Sequence, residues 1–404
     1  MIDEYVSRPF YIGKLMDYYN NRNLIKVLTG IRRCGKSVIL EQFKQYLMDI
    51  GTPEDSVMLI DLEKMRYTID SERMLYDYIS SKIRSKEPVL LIDEVQLIKG
   101  WERAVDSIRL KYNANVYITG SNSETVSESL GTHLTGRYVE INIFPFSFIE
   151  FLSRYPIDEE NGYTQRFIQY LRSGGMPIID LKDGPRKNRA ILQGVYDSII
   201  NNDIRPNMEI DQSILNNMTS FMMSNIGNLT SYNSIADRSF VGDQRTVEKY
   251  LGKLCGCYIF YKADRFDVIG GRHMKVNAKY YLADTGFRNA ILLGSEHDDG
   301  ALLENAVFIE LLRRGYRTSV GSYKDKEIDF TAWMDDEPEF YQVAWSIQDP
   351  KVLEREIRSL KKLEGQKRIV VTMDRDVPEM PDGIEVINAV DFFLKPIPDD
   401  TLKL

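Results

Sequence analysis

In the first 150 residues, short apolar runs alternate with segments in which apolar residues recur every three or four positions. Bounded apolar runs predict buried strands, and the longer spacing predicts amphipathic helices. The predicted strands cover residues 24–29, 57–61, 89–93, 115–119 and 138–143, and the predicted helices cover residues 5–20, 37–48, 71–84 and 101–112. Strands that alternate with helices favour an α/β domain with a parallel sheet.

The first predicted strand leads through a glycine-rich loop into a helix. Residues 30–37 read Gly-Ile-Arg-Arg-Cys-Gly-Lys-Ser, which matches the G-x-x-x-x-G-K-[ST] pattern of a phosphate-binding loop. Glycines let the backbone wrap around phosphates, and the following amides point at the anion. Lys36 is expected to contact the β- and γ-phosphates, and Ser37 is expected to bind Mg²⁺. The residues assigned to nucleotide binding here are Gly30, Arg32, Arg33, Cys34, Gly35, Lys36 and Ser37.

The strand at residues 89–93 ends in two adjacent acids, Asp93 and Glu94. An apolar strand followed by two acids is typical of the second motif of P-loop proteins, in which the first acid supports Mg²⁺. Glu94 is then placed to orient the attacking water and act as its general base. The alternative, two solvated acids after a core strand, agrees less well with a complete phosphate-binding loop earlier in the chain.

Two further positions are candidates for contact with the γ-phosphate. Ser121 and Asn122 follow the strand at residues 115–119, where they would sense the phosphate or, alternatively, cap a helix at residues 124–130. Arg137 would act on the γ-phosphate within its own chain, reach a neighbouring subunit as an arginine finger, or form a surface ion pair. The first helix, residues 5–20, would cover the adenine or pack on the sheet.

These motifs resemble a prokaryotic family of AAA-type ATPases in which the ATPase core precedes a domain of unknown function. The similarity rests on residues 29–37, 91–96, 118–123, 136–138 and 144–148, and extends to residues 174–177 and 284–286. The resemblance implies an additional-strand (ASCE) P-loop core over residues 1–150, with Glu94 as the hydrolytic acid. It also implies ATP as the nucleotide.

The middle of the chain is predicted to be mainly helical. Residues 148–171 and 186–201 read as helices separated by Gly-Gly-Met-Pro at residues 174–177, which gives a helical connector over residues 151–208. Residues 209–290 read as three helices followed by a β-hairpin, the order of a winged helix. The predicted helices cover residues 211–224, 231–237 and 243–254, and the strands cover residues 257–262 and 275–282.

In a winged helix the third helix enters the major groove of DNA, and here it offers Arg245, Lys249 and Lys253. Arg265, Arg272 and Lys275 of the hairpin would contact phosphates. Residues 185–290 hold 14 Lys and Arg against 10 Asp and Glu, the only balance along the chain that suits a polyanion. Because this excess is modest, a docking module that never meets DNA is an equal alternative.

Residues 291–404 are predicted to form helix, three strands, helix and a final strand at residues 368–373. This order resembles the restriction-endonuclease-like fold, in which a helix Glu, a strand Asp and a Glu-x-Lys pair bind metal and activate water. Glu304 and Asp329 match the first two positions. Gln342 replaces the third carboxylate and Ala344 replaces the lysine, so we expect a degenerate nuclease site.

The composition is that of a globular protein with a net charge of −8. Three cysteines with no disulfide or zinc spacing, and no apolar stretch of about 18 residues, predict a cytoplasmic protein without membrane contact. We therefore expect an ATP- and Mg²⁺-dependent ATPase that drives or gates conformational change, with DNA or a protein as partner. The alternatives are a nucleotide-gated protein-interaction switch with little turnover and an ATP-regulated DNA nuclease, and an oligomer is compatible with each.

Overall fold

The computed structural model describes residues 5–65, 67–120, 136–205, 211–239, 241–292, 298–324 and 326–397. The chain divides into two compact units. The first contains the chain up to Phe144 together with Gly256–Tyr258, and the second contains Pro145–Cys255 and continues from Ile259. Within these residues, no helix has both the length and the apolar composition needed to cross a membrane.

The first unit is built on a five-stranded sheet whose strands are all parallel. Its strands are β1 Ile25–Thr29, β2 Val57–Asp61, β3 Val89–Asp93, β4 Asn115–Thr119 and β5 Tyr138–Asn142, in the order β2-β3-β4-β1-β5. Because β4 lies between β1 and β3, the sheet has the additional strand that the resemblance implied. β1, β3 and β4 are buried along their whole length, which agrees with the continuous apolar run of β3 from Val89 to Ile92.

Helices cover both faces of this sheet. The helices of the first unit are Pro9–Asp17, Lys36–Asp49, Leu62–Met65, Glu72–Lys82 and Trp101–Tyr112. Phe43 of the second helix packs on Tyr117 of β4, with ring centroids 4.8 Å apart. The Tyr117 hydroxyl donates a hydrogen bond to the carbonyl of Leu15, at 3.1 Å. Of the two roles proposed for the first helix, the structure shows packing on the sheet.

The second unit begins with helices, and one of them was predicted incorrectly. The segment predicted as one helix at residues 148–171 forms Phe148–Arg154 and Tyr163–Ser173. Pro156 disfavours helical backbone in the residue before it, so the chain leaves the helix there. The remaining helices of the unit are Gly184–Ile199, with a π-turn at Ile200–Ile204, then Gln212–Ser224, Tyr232–Ser239, Gln244–Gly256, Gly286–Ile291, Asp299–Arg313, Pro350–Leu360 and Ala389–Leu394.

A seven-stranded mixed sheet organises the rest of the second unit. Its strands are β6 Phe260–Asp267, β7 Arg272–Leu282, β8 Arg317–Tyr323, β9 Lys326–Trp333, β10 Pro338–Ala344, β11 Lys367–Thr372 and β12 Ile384–Asn388, in the order β12-β11-β10-β9-β8-β6-β7. β6 pairs in parallel with β8, so the predicted hairpin is part of the C-terminal sheet. The sheet crosses the predicted domain boundary between residues 290 and 291, and β12 is an edge strand that the sequence did not predict.

A buried carboxylate joins two glycine-containing segments of this unit. Asp284 accepts hydrogen bonds from the backbone N–H of Gly175, at 2.6 Å, and of Gly286, at 2.9 Å. Burial raises the pKa of Asp284 to about 6, although these backbone bonds oppose the shift. Gly174 has a φ of +78°, and a Cβ at this position would lie 1.8 Å from Asp284 Oδ1. The sequence 174–177 is therefore tied to residues 284–286 by close backbone approach.

We expect Gly174→Ala to lower the free energy of unfolding by about 2 kcal/mol or more, because the new methyl group meets Asp284 and the left-handed backbone is strained. Gly194→Ala is the matched control. Gly194 lies on the exposed face of the helix Gly184–Ile199, where a methyl group would have open space within 4 Å. This change should stabilise the protein by about 0.5–1 kcal/mol. Equal effects in urea denaturation would contradict the proposed role of Asp284.

Candidate functional site

The phosphate-binding loop connects β1 to the helix Lys36–Asp49, as predicted. Gly30 has a φ of +136°, and a Cβ there would lie 2.2 Å from the carbonyl oxygen of Ile143, so only glycine fits. Gly35 has a φ of +103° directly before the helix. The Lys36 ammonium is buried within the loop, where it donates to the carbonyls of Gly30, at 2.8 Å, and Ile31, at 3.2 Å.

A second cation shapes this loop, and the sequence analysis did not identify it. The buried guanidinium of Arg8 donates to the carbonyl of Cys34, at 3.0 Å, and to that of Phe144, at 2.9 Å. Arg8 also lies over the ring of Tyr11, at 4.5 Å. One cation thus ties the phosphate-binding loop to the segment that follows β5. A single arginine near the N-terminus carries no motif, and its role is visible only in the fold.

The two acids at the end of β3 are held by the neighbouring strand. The Thr119 hydroxyl, at the end of β4, donates to Asp93 Oδ1 at 2.5 Å and accepts the backbone N–H of Glu94 at 2.9 Å. The Ser37 hydroxyl of the phosphate-binding loop lies near enough to Asp93 to lower the pKa of its carboxyl group. Burial raises the pKa of Asp93, and the hydroxyl groups of Thr119 and Ser37 counteract this effect.

Glu94 adopts a left-handed backbone conformation, with a φ of +58°. This conformation costs a residue with a Cβ on the order of 1 kcal/mol, and such strain is common at functional positions. The Thr119 hydroxyl fixes the backbone at this point, while the side chain of Glu94 accepts a hydrogen bond from Gln96.

The oxygen donors at this edge of the sheet fit Mg²⁺, which is usually bound by one or two carboxylates together with substrate phosphates. The Ser37 hydroxyl and the Asp93 carboxylate can each supply a ligand oxygen. Asp61, at the end of β2, is paired with Asp93 in the sheet register and forms an ion pair with Lys64 at 2.8 Å. Asp61 was not among the residues predicted for the site, although it ends a predicted strand in the same way as Asp93.

Arg137 lies at the opposite end of the sheet from the phosphate-binding loop. Its carbonyl accepts the N–H of Ile25 at the start of β1, whereas the loop follows the end of that strand. Five residues of strand separate these points by roughly 16 Å. The Arg137 side chain, 54% exposed, pairs with Asp106 at 3.3 Å. This placement contradicts a γ-phosphate contact within the same chain, and the arginine finger stays a prediction. Ser121 and Asn122 lie outside the described residues.

The cations predicted to contact DNA lie on the helix Gln244–Gly256. Val247, Leu251 and Leu254 face the interior, whereas Arg245 and Lys249 are exposed one turn apart. Lys253 is half-buried on the same face. In the hairpin, Arg265 donates to the Ser322 hydroxyl of β8 at 3.0 Å, so it is committed to the sheet. Arg272 is exposed, and the side chain of Lys275 lies outside the described part of the chain.

The predicted nuclease residues meet around a lysine that the sequence analysis did not identify. Lys279 of β7, almost fully buried, lies 2.9 Å from Glu304 Oε1, 2.7 Å from Glu327 Oε1 and 3.5 Å from Asp329 Oδ1. The Tyr281 hydroxyl also donates to Glu304, at 2.7 Å. These carboxylates are arranged around an ammonium group, and among the described residues no group of three or more acidic, His or Cys side chains is arranged to hold a metal ion.

Electrostatics in this cluster follow from burial. Burial raises the pKa of Asp329 to about 8, the nearby charge of Glu304 adds to the shift, and Lys279 and the N–H of Val343 oppose it. Burial lowers the pKa of Lys279, but the three carboxylates outweigh it and raise that pKa. Gln342, the third predicted position, donates instead to Glu356 at 2.8 Å. The cluster is therefore an internal ion-pair network.

We expect Lys279→Met to lower the free energy of unfolding by about 3–5 kcal/mol near pH 8, because it leaves the buried Asp329 and the half-buried Glu304 and Glu327 without a cation. The loss should be smaller at pH 5. Without Lys279 the pKa values of these carboxylates rise in the folded state, and a raised carboxylate pKa reduces stability as pH increases above about 4. Urea denaturation at both pH values measures the effect.

Lys262→Met is the matched control on the adjacent strand β6, because Lys262 pairs with Asp264 at the surface. Its cost should stay below about 1 kcal/mol at both pH values. Adding Asp329→Asn to Lys279→Met should restore part of the lost stability at pH 8. A Lys279→Met variant whose deficit does not change between pH 5 and 8 would show that the three acids do not share this lysine.

Comparisons with known proteins agree with this geometry. The sequence model of an AAA domain matches residues 22–152, and that of a domain of unknown function, DUF8612, matches residues 164–298.

Among solved structures, AMPPCP-bound DnaA from Aquifex aeolicus is 14% identical and has a TM-score of 0.32. The match covers 63% of this chain and 90% of the DnaA chain. The Hsp104-ADP complex of S. cerevisiae is 14% identical over 62% of this chain and 38% of its own, with a TM-score of 0.36. Similarities this remote add nothing to what the residues of the site show.

Two curated relatives are similar over most of the chain. An uncharacterized protein of Methanocaldococcus jannaschii is 26% identical over 84% of this chain and 78% of its own length. An uncharacterized protein of Haemophilus influenzae is 35% identical over 399 residues, which are 96% of this chain and 99% of the relative. The chain therefore belongs to the family of this Haemophilus influenzae protein, and its phosphate-binding loop lies in an AAA domain that precedes a domain of unknown function.

Proposed function

We propose that the chain hydrolyses ATP with Mg²⁺ and that the hydrolysis cycle changes the conformation of its second unit. The match of residues 22–152 to an AAA domain supports nucleotide binding. The observation that carries the proposal of hydrolysis is the Thr119 hydroxyl, which joins Asp93 to the backbone of Glu94 beside the phosphate-binding loop. That bond fixes a metal-binding acid and a candidate base at adjacent positions.

Each residue of the site has a distinct role in this proposal. Backbone amides of the loop bind the phosphates, and Lys36 offsets their negative charge. Ser37 and Asp93 would hold Mg²⁺, which, when bound, stabilises charge on the phosphate oxygens. Glu94 orients the attacking water and accepts its proton. Thr119 keeps both acids in register without contacting the substrate.

We expect Glu94→Gln to lower kcat about 10²- to 10⁴-fold and to keep nucleotide affinity, because the amide preserves shape but is a much weaker proton acceptor. Lys36→Ala should instead lose nucleotide binding. Phosphate release and the fluorescence of a bound nucleotide analogue measure the two properties. Normal turnover in Glu94→Gln would show that another group activates the water.

Thr119 provides a test specific to this structure. Thr119→Val keeps the size of the side chain but removes the hydroxyl, so kcat should fall while nucleotide binding persists. Thr119→Ser retains the hydroxyl and is the matched control, which should keep most of the activity. If both variants hydrolyse ATP at the same rate, the bridge between Asp93 and Glu94 is not needed for catalysis.

We also propose that the helix Gln244–Gly256 is a DNA-contacting element. Its support is the pair of exposed cations, Arg245 and Lys249, on the face opposite the buried Leu251 and Leu254. The alternative is that this face docks a protein partner and that nucleotide binding gates the interaction. In both cases the hairpin contributes little as a wing, since β6 is paired with β8.

We expect the double reversal Arg245→Glu with Lys249→Glu to weaken binding of duplex DNA about 10- to 100-fold at 50 mM salt and to reduce the salt dependence. Lys351→Glu with Arg358→Glu is the control, since both residues are exposed on another helix of the same unit. Fluorescence anisotropy with the Glu94→Gln protein and ATP measures the affinity. Equal binding by both double variants, or no binding by the parent, would favour the protein-partner switch.

For the C-terminal part, we propose a restriction-endonuclease-like fold that does not cleave DNA. The order helix Asp299–Arg313, strands β8 to β10, helix Pro350–Leu360 and strand β11 supports the fold. The ion pairs of Lys279 with Glu304 and Asp329 favour a structural role for these acids over a role in an ATP-regulated nuclease.

A further inference from the structure

A large cavity opens between helices of the second unit. Its volume is about 840 Å³, within the range of roughly 300–1,000 Å³ that is typical of small-molecule sites. It is lined by the end of the helix Phe148–Arg154, one face of Tyr163–Ser173, the start of Gly184–Ile199 and one face of Gly286–Ile291. None of the residues assigned above to the nucleotide or to DNA lines this cavity.

The walls of the cavity are largely apolar. Tyr155, Leu192 and Ala290 are buried side chains that border it, and Ile168 and Leu181 are half-buried at its surface. Apolar walls of this kind favour the body of a ligand that carries rings or an alkyl chain, because its burial removes apolar surface from water.

Positive charge dominates among the ionisable residues of the lining. Of the described residues that line it, five are Arg or Lys and one, Asp158, is an acid. Two of the cations are already neutralised. Arg166 binds Asp158, at 2.5 Å, as well as two oxygen acceptors, and Arg172 forms a two-point contact with Asp299, at 3.2 and 2.7 Å. These two arginines line the cavity, but their charges are balanced by acids and are not available to a ligand.

The remaining cations are not compensated to the same extent. Lys182 and Arg189 are exposed at the cavity, and within the described residues their side chains form no hydrogen bond or ion pair. Arg154 has partners, since it donates to the carbonyl of Pro177, at 2.5 Å, and forms an ion pair of 3.9 Å with Asp180. The cavity therefore combines an apolar interior with two exposed cationic side chains, Lys182 and Arg189, in its lining.

We propose that this cavity binds a small organic anion with an apolar body, in the class of acyl or aromatic carboxylates, sulfonates and phosphates. The apolar walls hold the body, and Lys182 and Arg189 hold the anionic group. The volume favours a small molecule over a peptide, since it accommodates one compact ligand. The residues involved are separate from the phosphate-binding loop, so this is a second ligand site on the chain.

The full chain can be tested with 8-anilinonaphthalene-1-sulfonate, which has an aromatic body and one anionic group. ADP and Mg²⁺ are added so that the probe does not occupy the nucleotide site. We expect saturable binding at one site, and an affinity about ten-fold lower in the double variant Lys182→Glu with Arg189→Glu, because two attractions become repulsions. Arg186→Glu is the matched control on the same helix, since Arg186 is exposed but does not line the cavity.

A second measurement separates charge recognition from general apolar binding. Decanoate should displace the probe, whereas decanol, which lacks the charge, should displace it at least ten times less effectively. Ile168→Trp, which places a bulky ring in the cavity, should abolish binding of the probe while nucleotide binding shows that the protein is folded. Equal probe affinity in the double variant and the control, or equal displacement by decanol and decanoate, would overturn the proposal.

Discussion

The hydrogen bonds of the Thr119 hydroxyl hold together the part of the molecule on which its proposed chemistry depends. Parallel strands end at one edge of the sheet, and that edge collects the polar side chains that follow each strand. Their position at this edge does not by itself keep the acids in place, because Asp93 and Glu94 are adjacent and their negative charges repel each other. A hydroxyl that donates to one and accepts from the backbone of the other fixes both without adding charge. β4, the strand that carries Thr119, lies next to β1, so the sheet fixes the position of the acids relative to the phosphate-binding loop.

Acidic side chains also lie close together in the second unit, where a cation and not a hydroxyl stabilises them. The half-buried Glu304 and Glu327 and the buried Asp329 come close together, where three negative charges would be costly. Lys279 supplies a positive charge from within the fold, and the raised pKa of Asp329 reduces the remaining negative charge. Because this cation is covalently part of the chain, no ion from solution is needed to balance the three acids.

The first unit was predicted well because local signals and tertiary requirements coincide there. The phosphate-binding loop needs Gly30 for close approach to Ile143, and the fully buried strand β3 is apolar from Val89 to Ile92, so both features are visible in the residue pattern. Long-range partners carried no such signal. Arg8 donates a hydrogen bond to a carbonyl 136 positions away, and Lys279 forms ion pairs with acids 25 to 50 positions later in the chain.

The errors made for the second unit also arise from contacts between residues that are distant in the sequence. The hairpin at β6 and β7 was correct as local structure, but which strand it pairs with depends on β8, more than 50 residues further along.

The prediction that Arg137 contacts the γ-phosphate depended only on its place in the sequence, after the strand at residues 115–119. The parallel register of β5 with β1 places the start of β5 far from the loop, a consequence that only the sheet reveals.

Three buried aspartates show how environment decides the use of one residue type. Burial raises the pKa of Asp93, Asp284 and Asp329 alike. Asp284 receives two backbone N–H groups and is thereby committed to joining two chain segments. Asp329 is committed to Lys279 and to the N–H of Val343. Asp93 accepts a hydrogen bond from the Thr119 hydroxyl, which can rotate to another partner. It is the one of the three that is bonded to a side-chain hydroxyl and not to a cation or to two backbone N–H groups, which agrees with the metal-binding role proposed for it.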